Sequence, residues 1–508
     1  MKFFQAFLLL LLTGACIGPQ PPRTSLPAGG PPAIYPDYAG VTIPVNIAPM
    51  NFEIQEDGSR FVTVVEDGNG KRHLFQGKTI SFPMKEWKSM LRASAGKELV
   101  FTVYSGRNRK MKRFDSFRCP VSPDPIDRYA VYRLIEPAYV NYGEIFIRQR
   151  DLTSFKERDV FNNTLLAGSM ERQCINCHSF QDYRTERMQL HIREEFGGTV
   201  ITDGKTARKV NFKKDGVIPN GVYPAWHPVE NLLAYSVNVT NQVFFRDNPQ
   251  RLEVYDSMSD LILYDPGTDT MRYILNDPDE METFPAWSHD GRTLYYASAK
   301  LSALNLQPGE AVYEHYERVR YSLYSIPFDP ATRSFGEVRL LYDAAGDSLS
   351  SVTPRPSPDG RFLLSAVGRY GCFQIWHDDA DLFLTDLATL ETRPLQEVNS
   401  DYAESFHAWS SNARWILFAS RRDDRTYSRL YVAHIDEEGH ASKPFLIPQK
   451  NPRRNLSLLK SYNVPEFTVE AVRSNPKRLL KTVLQDPVQV QLVESLVVDP
   501  DVPINPAE

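Results

Sequence analysis

The sequence predicts a mainly β chain: a small N-terminal β-sandwich, then a β-propeller of about six blades, with a short helical insert carrying a cofactor motif. Three observations lead there. Residues 34–123 alternate apolar and polar positions between Gly- and Asn-rich turns. A strand-turn-strand unit recurs beyond residue 220. A single Cys-x-x-Cys-His stretch, Cys174 to His178, stands between the two regions.

Composition narrows the function classes first. The 508 residues are 42% hydrophobic and 24% charged, which suits a globular chain with one large core or two to three ordinary ones. The net charge of -5, from 58 Lys+Arg against 63 Asp+Glu spread along the chain, offers no basic face, so nucleic-acid binding is set aside.

Residues 1–16 combine Lys2, an apolar run from Phe3 to Leu12, and Leu12-Thr13-Gly14-Ala15-Cys16. This resembles a bacterial lipoprotein signal peptide, with Cys16 as the lipidated residue; Thr13 stands where such signals more often carry Leu. The resemblance implies export and a membrane anchor through an N-terminal lipid. The apolar run falls short of the roughly 20 residues of a membrane span. Residues 17–33, rich in Pro and Gly, read as an extended tether.

Residues 34–123 follow as the sandwich, with Arg60 to Val65 and Glu98 to Tyr104 as strands and Met84 to Ala95 as its one helix-like insert. Residues 124–219 form a connector that holds a strand pair, Tyr129 to Leu134 and Gly143 to Arg148, then the cysteine motif and possible first blade strands.

Residues 220–460 carry four copies of one unit, beginning at Tyr223-Pro224-Ala225-Trp226, Phe284-Pro285-Ala286-Trp287, Thr353-Pro354-Arg355-Pro356 and Phe406-His407-Ala408-Trp409. Trp226 and Trp287 stand 61 positions apart, and Trp409 follows Trp287 by 122, two such periods. Asp-flanked strands, among them Asp260 to Asp265 and Asp381 to Asp386, alternate with the copies, which is how radially repeated blades are written. The copies are similar to the WD40-like repeat of TolB. That resemblance covers residues 220 to 450 and implies a propeller whose closure brings the connector beside the last repeat. Residues 461–508 read as a helix-bearing tail.

The cysteine motif carries the chemistry. Cys174-Ile175-Asn176-Cys177-His178 has the spacing of covalent haem attachment: two thiols for two vinyl groups, then an imidazole for the iron. One haem c is expected, with Cys174 and Cys177 as anchors and His178 as ligand. Read as a helix, Tyr183 to Glu195 places Met188 and His191 three apart on one face, where either supplies the sixth ligand; Met170 is a further candidate. A zinc site using His178, His191 or His227, a redox dithiol and a plain disulfide are the competing readings.

The stretch also resembles exported Gram-negative proteins in which Cys-x-x-Cys-His-Ser-Phe precedes Met-x-x-His-x-Arg, a Gly-Gly-Thr turn and a TolB-like propeller. Here these are Cys174 to Phe180, Met188 to Arg193 and Gly197 to Thr199. The resemblance implies a cell-envelope cytochrome without a known substrate. Cys119 and Cys372 are expected as two separately buried thiols. His377 to Asp381 reads as a solvated turn. No nucleophile elbow, zincin motif or phosphate-binding loop is present in the sequence. Two functions from different classes follow: electron transfer, with a redox partner or envelope complex docked by the propeller, and a non-catalytic scaffold for a protein or glycan in which the cysteines only staple a loop.

Overall fold

The computed structural model describes residues 21, 22, 24–107, 110–137, 143–166, 173–214, 219–248, 250–305 and 312–493. Cys16 and Met170 lie outside the described residues. No helix among them is long and apolar enough to cross a membrane.

The N-terminal region is a sandwich, as expected. One sheet takes in Arg60–Glu66, Glu98–Arg107 and Phe117–Ser122; a three-stranded sheet of Ile34–Tyr35, Phe52–Ile54 and Thr79–Ile80 faces it. Phe52, Phe82, Phe101 and Phe117 meet between them, and the helix Met84–Ser94 buries Trp87, Met90 and Leu91 against the same core. That core continues without a break into Trp415, Leu417 and Val432 of the propeller, so the two regions share one apolar interior. The expected tether is structured at its end, because Leu26–Pro27 pairs with Lys112–Arg113 at the sandwich edge.

The propeller has six blades. Their innermost strands are Ser461–Thr468, Ile175–Gln181, Gly221–Trp226, Glu280–Trp287, Ser350–Pro356 and Glu404–Trp409, for blades one to six in that order. The four repeats recognised in the sequence are blades three to six. The connector supplies first blade strands, as expected: it holds the outer three strands of blade one, Tyr129–Ile135, Phe146–Asp151 and Glu157–Asn162, and the four main strands of blade two.

The tail is a correction. Ser461–Thr468 pairs antiparallel with Tyr129–Ile135 and closes the ring, so the connector does share a blade with the C-terminal segment. The helix Pro476–Val483, capped by Asn475, then packs on blades one and two, and Val488–Gln489 and Gln491–Leu492 extend the outer edges of blades two and three. The inner edge of each blade faces the axis, where radial repetition keeps it short and protected.

The helical insert expected around the motif is a strand, Arg184–Ile192, paired with Ile175–Gln181 and Gly198–Thr202. Met188, Leu190 and Ile192 alternate with Gln189 and His191, and a period of two fits a strand buried on both faces.

Candidate functional site

The site grows from a feature repeated in every inner strand. Each strand carries a register shift at one non-glycine residue held at positive φ: Val464, Cys177, Tyr223, Phe284, Thr353 and Phe406, all between 44° and 54°. A left-handed non-glycine residue costs about 1–2 kcal/mol, so six of them are held by the surrounding packing. All six line one chamber on the propeller axis, of about 130 Å³.

Aligned by this shift, Cys177-His178-Ser179-Phe180 is blade two's copy of Tyr223-Pro224-Ala225-Trp226, and Val464-Pro465-Glu466-Phe467 is blade one's. Sequence reading missed both copies because neither keeps the tryptophan or, as the Thr353 copy does, a Ser-Pro-Asp-Gly turn after it. The sequence signal was there: a Pro or His, then one residue, then an aromatic.

Cys174, Cys177 and His178 therefore stand together on the chamber wall. The backbone N–H of Arg193 donates to the Cys174 carbonyl at 3.0 Å and pins the start of the strand. Both cysteines are free thiols, and burial pushes both up in pKa. Burial, with Arg133 adding to it, holds His178 down to about 3, so the ring is neutral. His178 is 2% exposed, and its polar surroundings are the backbones of Val131 and Val464. His407, its counterpart in blade six, is satisfied by the Leu364 carbonyl of blade five at 3.1 Å. The backbones of Val131 and Val464 stand to His178 as those of Leu364 and Thr353 do to His407, so blade packing accounts for the placement of both rings.

Met188 and His191 lie elsewhere. Met188 is fully buried opposite Phe180 in the core with Leu190 and Ile192. His191 points from the other face of the strand, where Nδ1 meets Thr199 Oγ1 at 3.0 Å and burial holds the ring down to about 3. Neither borders the chamber. The reason is the strand: residues three apart share a helix face but lie on opposite faces of a strand. Among the described residues, the one group of three ligand atoms close enough to hold a metal ion is the half-buried Asp436 with the exposed Glu438 and His440, so the cysteine motif does not converge as a zinc site.

The chamber has a cover that the sequence did not announce. Blade three's hairpin, Leu233–Phe244 with Leu252–Asp265, continues past the start of its inner strand, with a bulge after Val239. Thr240, Gln242, Leu252 and Val254 line the chamber, and Leu252 and Val254 pack in the same core as Cys174, Ile375 and Trp376. Glu253 holds His377 at 2.7 Å, with exposures of 0% and 1%. The turn expected to be solvated from His377 to Asp381 is thus buried at His377, while Asp381 is pushed up to about 6 by burial and by Glu404. Cys372 is a separate free thiol beside Asp256, and Cys119 lies in the sandwich, as expected.

The fold is a β-propeller. No protein-family model and no curated protein match the sequence. Three solved structures are similar to it in the course of the chain. An oligogalacturonate lyase in complex with manganese is 12% identical, with 63% of this chain and 85% of that one covered and a TM-score of 0.32. A prolyl endopeptidase is 14% identical over 64% of this chain and 42% of its own, with a TM-score of 0.33. Kuenenia stuttgartiensis hydrazine synthase is 10% identical over 54% and 68%, with a TM-score of 0.31. Likenesses of this size bring no residue, ligand or reaction to this chain.

Proposed function

We propose that this protein is a c-type cytochrome of the Gram-negative cell envelope, exported and anchored through a lipid on Cys16, with a TolB-like propeller that docks a redox partner. Cys174 and Cys177 anchor one haem as thioethers and His178 ligates its iron. The observation that carries the reading is the pair of free thiols and the buried, neutral His178 on one wall of a single chamber. The donor set fits a haem: two thiols, a neutral imidazole, aromatic walls from Tyr223, Phe284 and Phe406, and guanidinium groups for acidic substituents.

When bound, the haem supplies a reversible one-electron couple. The chain's part is to hold and insulate it. The chamber's apolar walls lower the local dielectric, and the hairpin of blade three limits contact with water. Met188 and His191 no longer enter as iron ligands. From Cys16 to Leu26 the chain spans at most about 35 Å, so a lipid on Cys16 keeps the sandwich close to the membrane surface.

One observation favours the scaffold reading. Cys177 and His178 occupy ring positions that every blade fills, so their placement alone is explained by the fold. The pyridine haemochrome spectrum of the full chain, matured with a c-type system, decides between the two. A c-type band that survives denaturation and disappears in Cys174→Ala/Cys177→Ala is expected. No band, where a control cytochrome matures, overturns the cytochrome and leaves the scaffold.

A further inference from the structure

Charge that looks evenly spread over the whole chain is concentrated in the sandwich. Residues 60–118, which build most of its larger sheet and its helix, hold 14 Lys and Arg against 5 Asp and Glu, a net +9 in a chain of net charge -5, which leaves -14 for the rest. Within this stretch, residues 107–113 carry Lys or Arg at five of seven positions and no acid. The fold places that run at the free end of the hairpin Glu98–Arg107 with Lys110–Arg113. Arg107, Lys110, Lys112 and Arg113 are exposed, and among the described residues none of the four has an ion pair or a side-chain hydrogen bond. Other cations of the sheet are engaged: Arg72 pairs with Glu66 at 2.9 Å, Arg118 pairs with Glu98, and Lys97 Nζ donates to the Gly68 carbonyl at 2.9 Å. Arg107 and Lys110 are cross-strand partners, and like charges set opposite one another destabilise a hairpin unless an anion meets them.

The tether joins the sheet on this same strand. Leu26 pairs with Lys112 and Pro27 with Arg113, and the Ala28 N–H donates to the Arg113 carbonyl at 2.8 Å. Pro21 borders the outer face of the sheet together with Arg113. Cys16 stands five positions before Pro21, a reach of at most about 18 Å, so a lipid there brings the hairpin to the membrane. Basic clusters beside a lipid anchor are drawn to anionic headgroups, each cation near the surface strengthening the contact several-fold. We propose that the hairpin end formed by Arg107, Lys110, Lys112 and Arg113 rests on anionic phospholipid headgroups and so orients the propeller on the membrane. The proposal rests on reading Cys16 as the lipidated residue.

The test uses the mature chain from residue 16 with Cys16→Ser, exported behind a leader that is removed without lipidation, so that only the folded surface can bind. Co-sedimentation is measured with vesicles of phosphatidylcholine and with vesicles of phosphatidylcholine mixed with phosphatidylglycerol. Binding is expected to the mixed vesicles alone, and to weaken as salt rises. Lys110→Gln/Lys112→Gln/Arg113→Gln is expected to lower that affinity about ten-fold or more. Lys477→Gln/Arg478→Gln/Lys481→Gln, which removes the same charge from exposed positions on the helix Pro476–Val483, leaves it unchanged. A thermal melt checks that each variant is folded. Equal loss in the two triple variants, or no binding of the folded parent chain to the mixed vesicles, overturns the proposal. Binding to duplex DNA but not to the mixed vesicles assigns the hairpin to nucleic acid and overturns it as well. The mass of the exported wild type reads the lipid separately: charge-dependent vesicle binding without a lipid keeps the surface and removes the anchor, and a lipid without that binding does the reverse.

Discussion

Asp260 in blade three and Glu282 in blade four face one another across a seam, at 7% and 2% exposure. Burial raises Asp260 to about 7, and burial followed by Asp260 raises Glu282 to about 9. Both folded values lie above those of an unfolded chain, so the folded state binds the extra protons. Their contribution is full at acid pH and is lost as pH rises through 7 and then 9. Between pH 6 and 9 the wild type is expected to lose on the order of a few kcal/mol of stability from these two groups. Glu282→Gln flattens that slope, which thermal melts of both proteins across this range measure. At this scale the sequence was partly legible. The types and spacing of Cys174, Cys177 and His178 singled out three residues that the fold does bring together on one wall. His377 was misread, because its partner Glu253 is 124 positions away and no local pattern announces it.

At the scale of elements, the strand Arg184–Ile192 shows how a functional hypothesis overrode a pattern. Alternation at Met188, Leu190 and Ile192 was visible, but the spacing of two possible ligands suggested a helix. The inner strands of blades one and two were hidden for a different reason. Their tryptophan positions hold Phe467 and Phe180, and the shared property is a backbone shift that no side chain encodes alone. The hairpin of blade three was legible as strands but not as a cover. Its hold on blade five is the buried Glu253–His377 pair, supported by Gln250, whose Nε2 donates to Glu253 at 2.6 Å. Glu253→Ala leaves a buried imidazole without its partner, at a cost of about 1–3 kcal/mol. Amide hydrogen exchange is expected to quicken in residues 240–244 and 252–256 while the sandwich is unchanged.

The whole molecule is a ring made from a chain whose two far parts meet in blade one. Four blades were readable from their repeats, and the closure rule placed the connector correctly, yet the closing strand was read as tail: its partner, Tyr129–Ile135, lies at the far end of the propeller sequence. A chain ending at Lys460 lacks that strand and exposes the edge of Tyr129–Ile135. It is expected to lose the cooperative melting of the propeller and to self-associate, as calorimetry and gel filtration report.

The seam also sets a clock. Ala130 and its partner Phe467 are 337 positions apart, so a chain delivered from its N-terminus keeps its ring open until almost all of it has arrived. Cys174, 3% exposed once folded, is within reach of a large modifying enzyme during that interval and sealed behind six blades afterwards. The order in which the chain emerges thus decides which chemistry its innermost wall can still receive.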